Sequence, residues 1–239
     1  MIDPCFNAFR GEEFPFEDQT ATILYPDGTP NGKIVLRTEY LGAFPNFEQA
    51  MLRHGYYVIN LTHPNYWANH EHIHQMARFV RATAEKLDAD ERCILSGVSA
   101  GGLQAVRFAY MYPELTAVAY LDAPVMNLLS LAGFGDAELD ACVWRQLERA
   151  YGFTKSSILT YRDSPMDHLD ELIKLDIPVV MVYGDSDTVV PYHENGKALE
   201  DYYKAHGGKL AVFSKVGCDH HPHGLEDPTP IVEFVEQFV

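Results

Sequence analysis

The sequence predicts an α/β fold, a mostly parallel sheet covered by helices on both faces, and three observations predict it. Seven short apolar runs recur along the 239 residues, at 21–25, 33–38, 56–61, 92–96, 117–121, 178–183 and 210–214. Between most of them lie stretches with apolar residues at helical spacing, and this alternation is what parallel strands joined by crossover helices require. With 47% hydrophobic and 12% aromatic residues, the chain can bury a sizeable core and falls within the range of one α/β domain, residues 1–239.

Taken in order, the run at 21–25 leads into Tyr25-Pro26-Asp27-Gly28 and Pro30-Asn31-Gly32, turn signals that predict an antiparallel hairpin with 33–38. A helix is predicted over 46–53, a strand over 56–61, and a longer helix over 70–87 after the polar loop 63–69. Strand 92–96 and helix 100–111 follow, and the helix stops before Pro113. The interval from Leu121 to Pro178 exceeds fifty residues, too long for a simple crossover, and predicts a small helical cap over about 123–176. Within it, 128–134 reads as a mobile loop, 137–151 as a helix and 165–175 as another. Helices over 192–205 and 231–238 frame the last strand.

The formal net charge of −16 sets a negative field that repels nucleic acid and anionic membrane surfaces, so neither is an expected partner; a small-molecule substrate is. No apolar stretch reaches the length of a membrane span, and the opening MIDPCFNAFRGEEF has no basic segment followed by an apolar one. A cytoplasmic protein is the expectation. Cys5, Cys93, Cys142 and Cys218 are far apart and lack C-x-x-C spacing, which predicts reduced structural thiols. Cys218 stands out for its place beside a histidine-rich turn.

The most informative segment is Gly97-Val98-Ser99-Ala100-Gly101, a G-x-S-x-G sequence between an apolar strand and a helix. Such a turn holds its serine in a strained backbone conformation, and small neighbours two positions either side let strand and helix approach closely. A serine hydroxyl needs a histidine to take its proton and a carboxylate to fix that histidine's tautomer. After strand 178–183 comes Gly184-Asp185-Ser186-Asp187-Thr188, at a strand's C-terminal end where sites in such sheets lie. Asp187 is the predicted acid; Asp185 competes, with a turn-bracing role as its plainer reading, and Asp122 after strand 117–121 is a third candidate. After strand 210–214, Gly217-Cys218-Asp219-His220-His221-Pro222-His223-Gly224 offers three histidines in four residues, of which one can sit between acid and nucleophile. The plainer reading of that cluster is a surface or metal-binding turn. An oxyanion hole needs two backbone N–H groups: Ala100 supplies one, and Tyr40 in the loop 38–45 is the candidate for the other, with Glu39 or Leu41 in a slipped register. The Glu39 carboxylate would then bind a substrate hydroxyl or the rim.

GVSAGG, GDSDTVVP and GCDHHPHGLEDPTP, in that order, resemble the bacterial serine esterases and peptidase-like members of the α/β-hydrolase superfamily. The resemblance implies the α/β-hydrolase fold and a Ser99-Asp187-His220 triad, since the base of related sequences stands three residues past the glycine, as His220 does past Gly217. His221 and His223 then pack around the site as candidate substrate contacts, or cap the following segment. It also implies a two-step acyl transfer on carboxylic esters of small or medium substrates without metal or organic cofactor, with peptide or amide cleavage on the same triad as the alternative. HHPHGL and TEYLGAFP are similar to a subgroup that accompanies carbohydrate-degrading systems, which brings acyl or methyl esters of carbohydrates into range. The segment 38–45 lacks the histidine-glycine-glycine pattern of lipases, which argues against lipase-type chemistry.

Two rivals remain. His70-Glu71-His72-Ile73-His74 matches H-E-x-x-H, which on a helix puts two imidazoles on one face as zinc ligands with Glu71 as base. No third-ligand extension follows it, and the plainer reading is a solvated helix start near the site mouth, with Tyr66 or Trp67 touching substrate. A non-catalytic binding protein on the same fold is the other rival; the complete set of triad residue types argues against it.

Overall fold

The computed structural model describes residues 2–64, 67, 69–137 and 140–239. Its strands are β1 (Gly11–Phe16), β2 (Gln19–Leu24), β3 (Ile34–Arg37), β4 (Tyr57–Thr62), β5 (Cys93–Val98), β6 (Thr116–Asp122), β7 (Val179–Gly184) and β8 (Leu210–Lys215). They form one sheet in the order β1-β2-β4-β3-β5-β6-β7-β8. β1 and β2 are antiparallel to their neighbours, and every pairing from β4 through β8 is parallel.

The helices are α1 (Asn46–Arg53), α2 (His70–Leu87), α3 (Ala100–Met111), α4 (Ala141–Tyr151), α5 (Leu169–Lys174), α6 (Gly196–His206) and α7 (Thr229–Val235). α1 and α7 bury Phe47, Met51, Ile231 and Val235 against one face of the sheet, while α2, α3 and α6 cover the other through residues such as Phe79, Leu103 and Leu199. The central strands are buried on both faces: in β5, Cys93 and Leu95 point into one cluster and Ile94 into the other. That two-sided burial is why these strands read as continuous apolar runs rather than alternating ones.

The first hairpin differs from expectation. β2 pairs with β1 across a turn at Glu17, whose φ is 52°, whereas β3 lies between β4 and β5. Segment 25–32 has the turn glycines the sequence predicted, Gly28 and Gly32 both at φ 77°, yet it links two strands that are not neighbours. β1, GEEFPF, escaped notice because it is an edge strand with a half-exposed face and an internal proline, both tolerated where one side of the ladder is open.

Segment 128–134 is also not the mobile loop the sequence suggested. Ser130–Phe134 forms a π-helical turn, and Leu128, Ser130 and Leu131 are buried. It is held from a distance: Asn195 Oδ1 accepts from the N–H groups of Met126 and Asn127 just before it, each at 3.0 Å, and Ser130 Oγ donates to Glu194. Such partners lie more than sixty residues away and leave no local signal. The rest of the 123–176 region carries α4, capped by Asp140 and ended at Gly152, two short 3-10 turns, and α5. Arg107 of α3, fully buried, ties this region to the sheet by donating to Tyr151 and Tyr161 hydroxyls at 2.9 and 3.1 Å and to the Asp163 carbonyl at 2.5 Å.

Candidate active site

β5 delivers the chain to the turn and α3 takes it away, with Ser99 between them at φ 52° and ψ −117°. A non-glycine residue there is strained, and persists because its surroundings over-determine it. Ser99 N–H donates to the Asp122 carbonyl at 2.9 Å, and the Ser99 carbonyl accepts from Gly102 and Val125 N–H at 2.9 and 3.0 Å. Close packing demands the glycines: a Cβ on Gly97 would lie 2.6 Å from the Gly101 carbonyl oxygen, and one on Gly102 would lie 2.4 Å from Pro124 Cβ.

The loops after β7 and β8 meet this turn. His220 Nε2 is 3.0 Å from Ser99 Oγ, and His220 Nδ1 is 2.8 Å from Asp187 Oδ2. The other oxygen of Asp187 accepts from Val189 and Val190 N–H at 2.9 and 2.8 Å, which fixes the plane of the carboxylate. An Nδ1–H facing Asp187 leaves the Nε2 lone pair facing the hydroxyl, the tautomer that can accept its proton. The two loops are clasped together. Asp219 Oδ1 accepts from Thr188 N–H at 2.9 Å and His220 N–H at 2.8 Å, hydrogen bonds that hold its carboxyl below the usual range. Asp185 Oδ1 accepts from Gly217 N–H at 2.7 Å. Asp185 therefore braces the turn and does not reach the imidazole. A Cβ on Gly184 would sit 2.3 Å from the Cys218 carbonyl oxygen, so the loops approach only because that position has no side chain.

Asp122 engages a different histidine. Its Oδ1 is 2.7 Å from His223 Nδ1, and its Oδ2 accepts from Gly224 N–H at 2.6 Å and Tyr120 hydroxyl at 3.1 Å. His223 is buried, and that burial outweighs the carboxylate and lowers its pKa. His221 is exposed and stacks on Phe44, ring centroids 5.5 Å apart. With Tyr40, Phe44, Ser99 and His220, these two histidines line a cavity of about 260 Å³. A larger cavity of about 410 Å³ is lined by Tyr183, Glu200 and Lys204 and includes neither Ser99 nor His220, so volume does not mark the chemistry here.

Ala100 opens α3, and its N–H is among those a helix leaves without an internal partner. Tyr40 borders the cavity with φ 54°. Its backbone N–H favours the charged form of Glu39, an effect that burial of the carboxyl outweighs. Glu39 itself is not at the rim. It is buried beneath α3, accepts from Gln104 Nε2 at 2.9 Å, and burial pushes its pKa up to about 7.

A residue with no motif around it organises this loop. Arg37, 1% exposed, donates through Nε to the Glu39 carbonyl at 2.8 Å and through Nη2 to the Ala43 carbonyl at 2.9 Å. Its Nη1 meets Glu48 Oε1 at 2.8 Å, and Ser96 Oγ donates to the same oxygen at 2.5 Å. The only sequence signal is a lone arginine ending an apolar run just before the predicted oxyanion loop.

Other expectations need correction. Trp67 is buried, with its indole N–H donating to Gln146 Oε1 at 2.8 Å and its carbonyl accepting from the Tyr151 hydroxyl, so it anchors α4 instead of facing substrate. Tyr66 lies outside the described residues. The histidines of H-E-x-x-H turn to separate partners: His70 Nε2 to Asp163 at 3.2 Å, and His74 Nδ1 to the Tyr112 hydroxyl at 2.6 Å, while Glu71 pairs with Arg78. Among the described residues, the groups of three or more potential ligands close enough to share an ion are His220-His221-His223 and Asp136-His193-Glu194, neither of which contains His70 or His74. All four cysteines are free thiols, and burial pushes the Cys93 thiol up to about 12.

The sequence profile of the prolyl oligopeptidase family matches residues 65–229. No curated protein matches the chain in sequence. Among solved structures, a dipeptidyl peptidase 4 of Porphyromonas gingivalis superposes with a TM-score of 0.71 at 14% identity, over 97% of this chain and 35% of that one. A puromycin-hydrolyzing peptidase of Mycobacterium tuberculosis gives 0.68 at 16% identity, over 95% and 38%. An α/β-hydrolase enzyme from a sediment metagenome of the Mar Chica lagoon, Morocco, gives 0.56 at 20% identity and is covered over 96% of its length. The fold is thus that of the α/β-hydrolases, and the chain spans little more than a third of the length of the two peptidases it resembles.

Proposed function

From the premise that the chain belongs to the prolyl oligopeptidase family, we propose that it is a serine hydrolase acting on amide bonds of small peptides or acyl amides. The observation that carries the proposal is the hydrogen-bonded series from Ser99 Oγ to His220 to Asp187, at 3.0 and 2.8 Å. Family membership favours amide over carboxylic-ester substrates, which the motifs alone had ranked first.

In this reading Ser99 Oγ attacks the carbonyl carbon as His220 Nε2 takes its proton. Asp187 stabilises the imidazolium and does not itself become protonated. The N–H of Ala100, at the positive end of α3, meets the developing oxyanion, with the Tyr40 loop on its other side. His220 then protonates the leaving amine, and water releases the acyl group by the same route in reverse. A cavity of about 260 Å³, walled by Phe44 and His221, suits a small acyl side chain.

The test is kinetic. Aminoacyl and dipeptidyl anilides should be cleaved with higher kcat/KM than p-nitrophenyl esters of the same acyl groups, relative to their spontaneous rates. Ser99→Ala should lower kcat by about 10⁶, the scale seen when such a nucleophile is removed, and abolish labelling by a fluorophosphonate. An Ser99→Ala protein that still turned over anilide would overturn the assignment.

A further inference from the structure

Three imidazoles crowd the mouth of the cavity, and the proposed reaction uses one. One ring nitrogen each from His220, His221 and His223 lies within 4.8 Å of those of the other two. In two of these rings Nδ1 is already held by a carboxylate, Asp187 at 2.8 Å from His220 and Asp122 at 2.7 Å from His223. Nε2 is the other ring nitrogen of each, and in His220 it faces Ser99 Oγ at 3.0 Å. A carboxylate behind an imidazole is the arrangement that orients a metal-bound histidine and raises its basicity. Asp122 is itself fixed, by Gly224 N–H at 2.6 Å and the Tyr120 hydroxyl at 3.1 Å. Phe44 packs face to face on His221 and edge-on to His223, at centroid distances of 5.5 and 5.3 Å, and so sets the planes of both rings.

We infer that this loop binds a divalent transition-metal ion of the zinc class through His220, His221 and His223, and that the bound ion shuts off hydrolysis. The inference rests on the reading of His220 as the general base. Three imidazoles with a fourth position left for water form a donor set suited to zinc, whereas magnesium and calcium prefer oxygen ligands. Tetrahedral coordination at about 2.0–2.1 Å brings the nitrogens to roughly 3.3 Å apart, an approach that exposed His221 can supply most easily. The net charge of −16 concentrates cations near the surface. No bond order or oxidation state changes: the His220 lone pair that would accept the Ser99 proton is donated to the metal instead. A chelator returns it.

The other cluster, Asp136, His193 and Glu194, offers one imidazole and two carboxylates, with Glu194 Oε1 already accepting from Asp136 N–H at 2.6 Å. It serves as the control. Chelator-stripped protein is titrated with Zn²⁺ by calorimetry and with Co²⁺ by visible absorption, as wild type and as His193→Ala, His221→Ala, His223→Ala and Ser99→Ala. The expected result is one site retained in His193→Ala and Ser99→Ala and weakened at least tenfold in His221→Ala and His223→Ala. Anilide hydrolysis by wild type should fall in proportion to occupancy, recover with chelator, and be unaffected by Mg²⁺. His223 is buried and its variant can misfold, so exposed His221 carries the comparison alone if needed. Zinc binding unchanged by His221→Ala, binding lost in His193→Ala, or full hydrolysis at saturating zinc each overturns the inference. Absence of zinc binding in wild type beside intact hydrolysis sinks this inference alone; hydrolysis surviving Ser99→Ala sinks the functional reading and the shut-off that rests on it, while the zinc titration still decides the site.

Discussion

Two aspartates two positions apart do different work because their carboxylates face different loops. Asp187 faces His220 at 2.8 Å and Asp185 faces Gly217 N–H at 2.7 Å. Asp187→Asn should lower kcat by about 10⁴, because an amide there favours the wrong imidazole tautomer, with little change in melting temperature. Asp185→Asn should keep kcat within tenfold of wild type and cost about 1 kcal/mol or less in urea unfolding, since the amide oxygen still accepts from Gly217 N–H and only the charge behind that bond is lost. If the two variants exchanged these phenotypes, the assignment of acid and brace would be reversed. The residue types of Ser99, Asp187 and His220 were legible because each follows a predicted strand and stands among small turn residues. Arg37 was not. Its value lies in five partners drawn from three separate segments, and no spacing rule encodes such a gathering.

The elements themselves were mostly legible, and the junction of β5 and α3 most of all. Helices α1, α2 and α3 begin and end where apolar periodicity places them, because each buries one stripe against the sheet. The glycines of the turn report how closely two elements approach, and this closeness can be tested. Gly102→Ala puts a Cβ 2.4 Å from Pro124 Cβ and 2.7 Å from its Cα, so α3 must shift away from the loop after β6. The expected cost is about 1–3 kcal/mol of stability, with slower fluorophosphonate labelling of Ser99, because the end of β6 and that loop hold the Ser99 backbone through Asp122 and Val125. An unchanged melting temperature would show that the packing is looser than these distances. β1 and the Ser130–Phe134 turn were illegible for opposite reasons. β1 carries too little apolar signal at a sheet edge, and the turn is ordered by Asn195 and Glu194, which belong to a distant part of the chain.

At the scale of the molecule, burial of Glu39 beneath α3 couples global stability to pH. Its folded-state pKa of about 7 stands above the ordinary 4.5, so the fold favours the neutral acid. That contribution is fully present below about pH 4.5 and is lost as pH rises through about 7. Glu39→Gln keeps an acceptor for Gln104 and removes the titration; its melting temperature relative to wild type should rise by about 5 °C or more between pH 4.5 and pH 8. Parallel pH profiles for the two proteins would refute the shift. The sequence alone determined the succession of strands and main helices from β2 onward, the strained serine turn and the polar loops that follow β7 and β8, since periodicity, glycine placement and turn chemistry act over a few neighbouring residues. Only the tertiary structure decided that β3 slips between β4 and β5, that His220 meets Asp187 while His223 meets Asp122, and that Arg37 gathers the loop beside the serine. Those outcomes depend on which strand ends the sheet order brings to one edge and on loop approaches of a few tenths of an ångström, and local spacing carries neither.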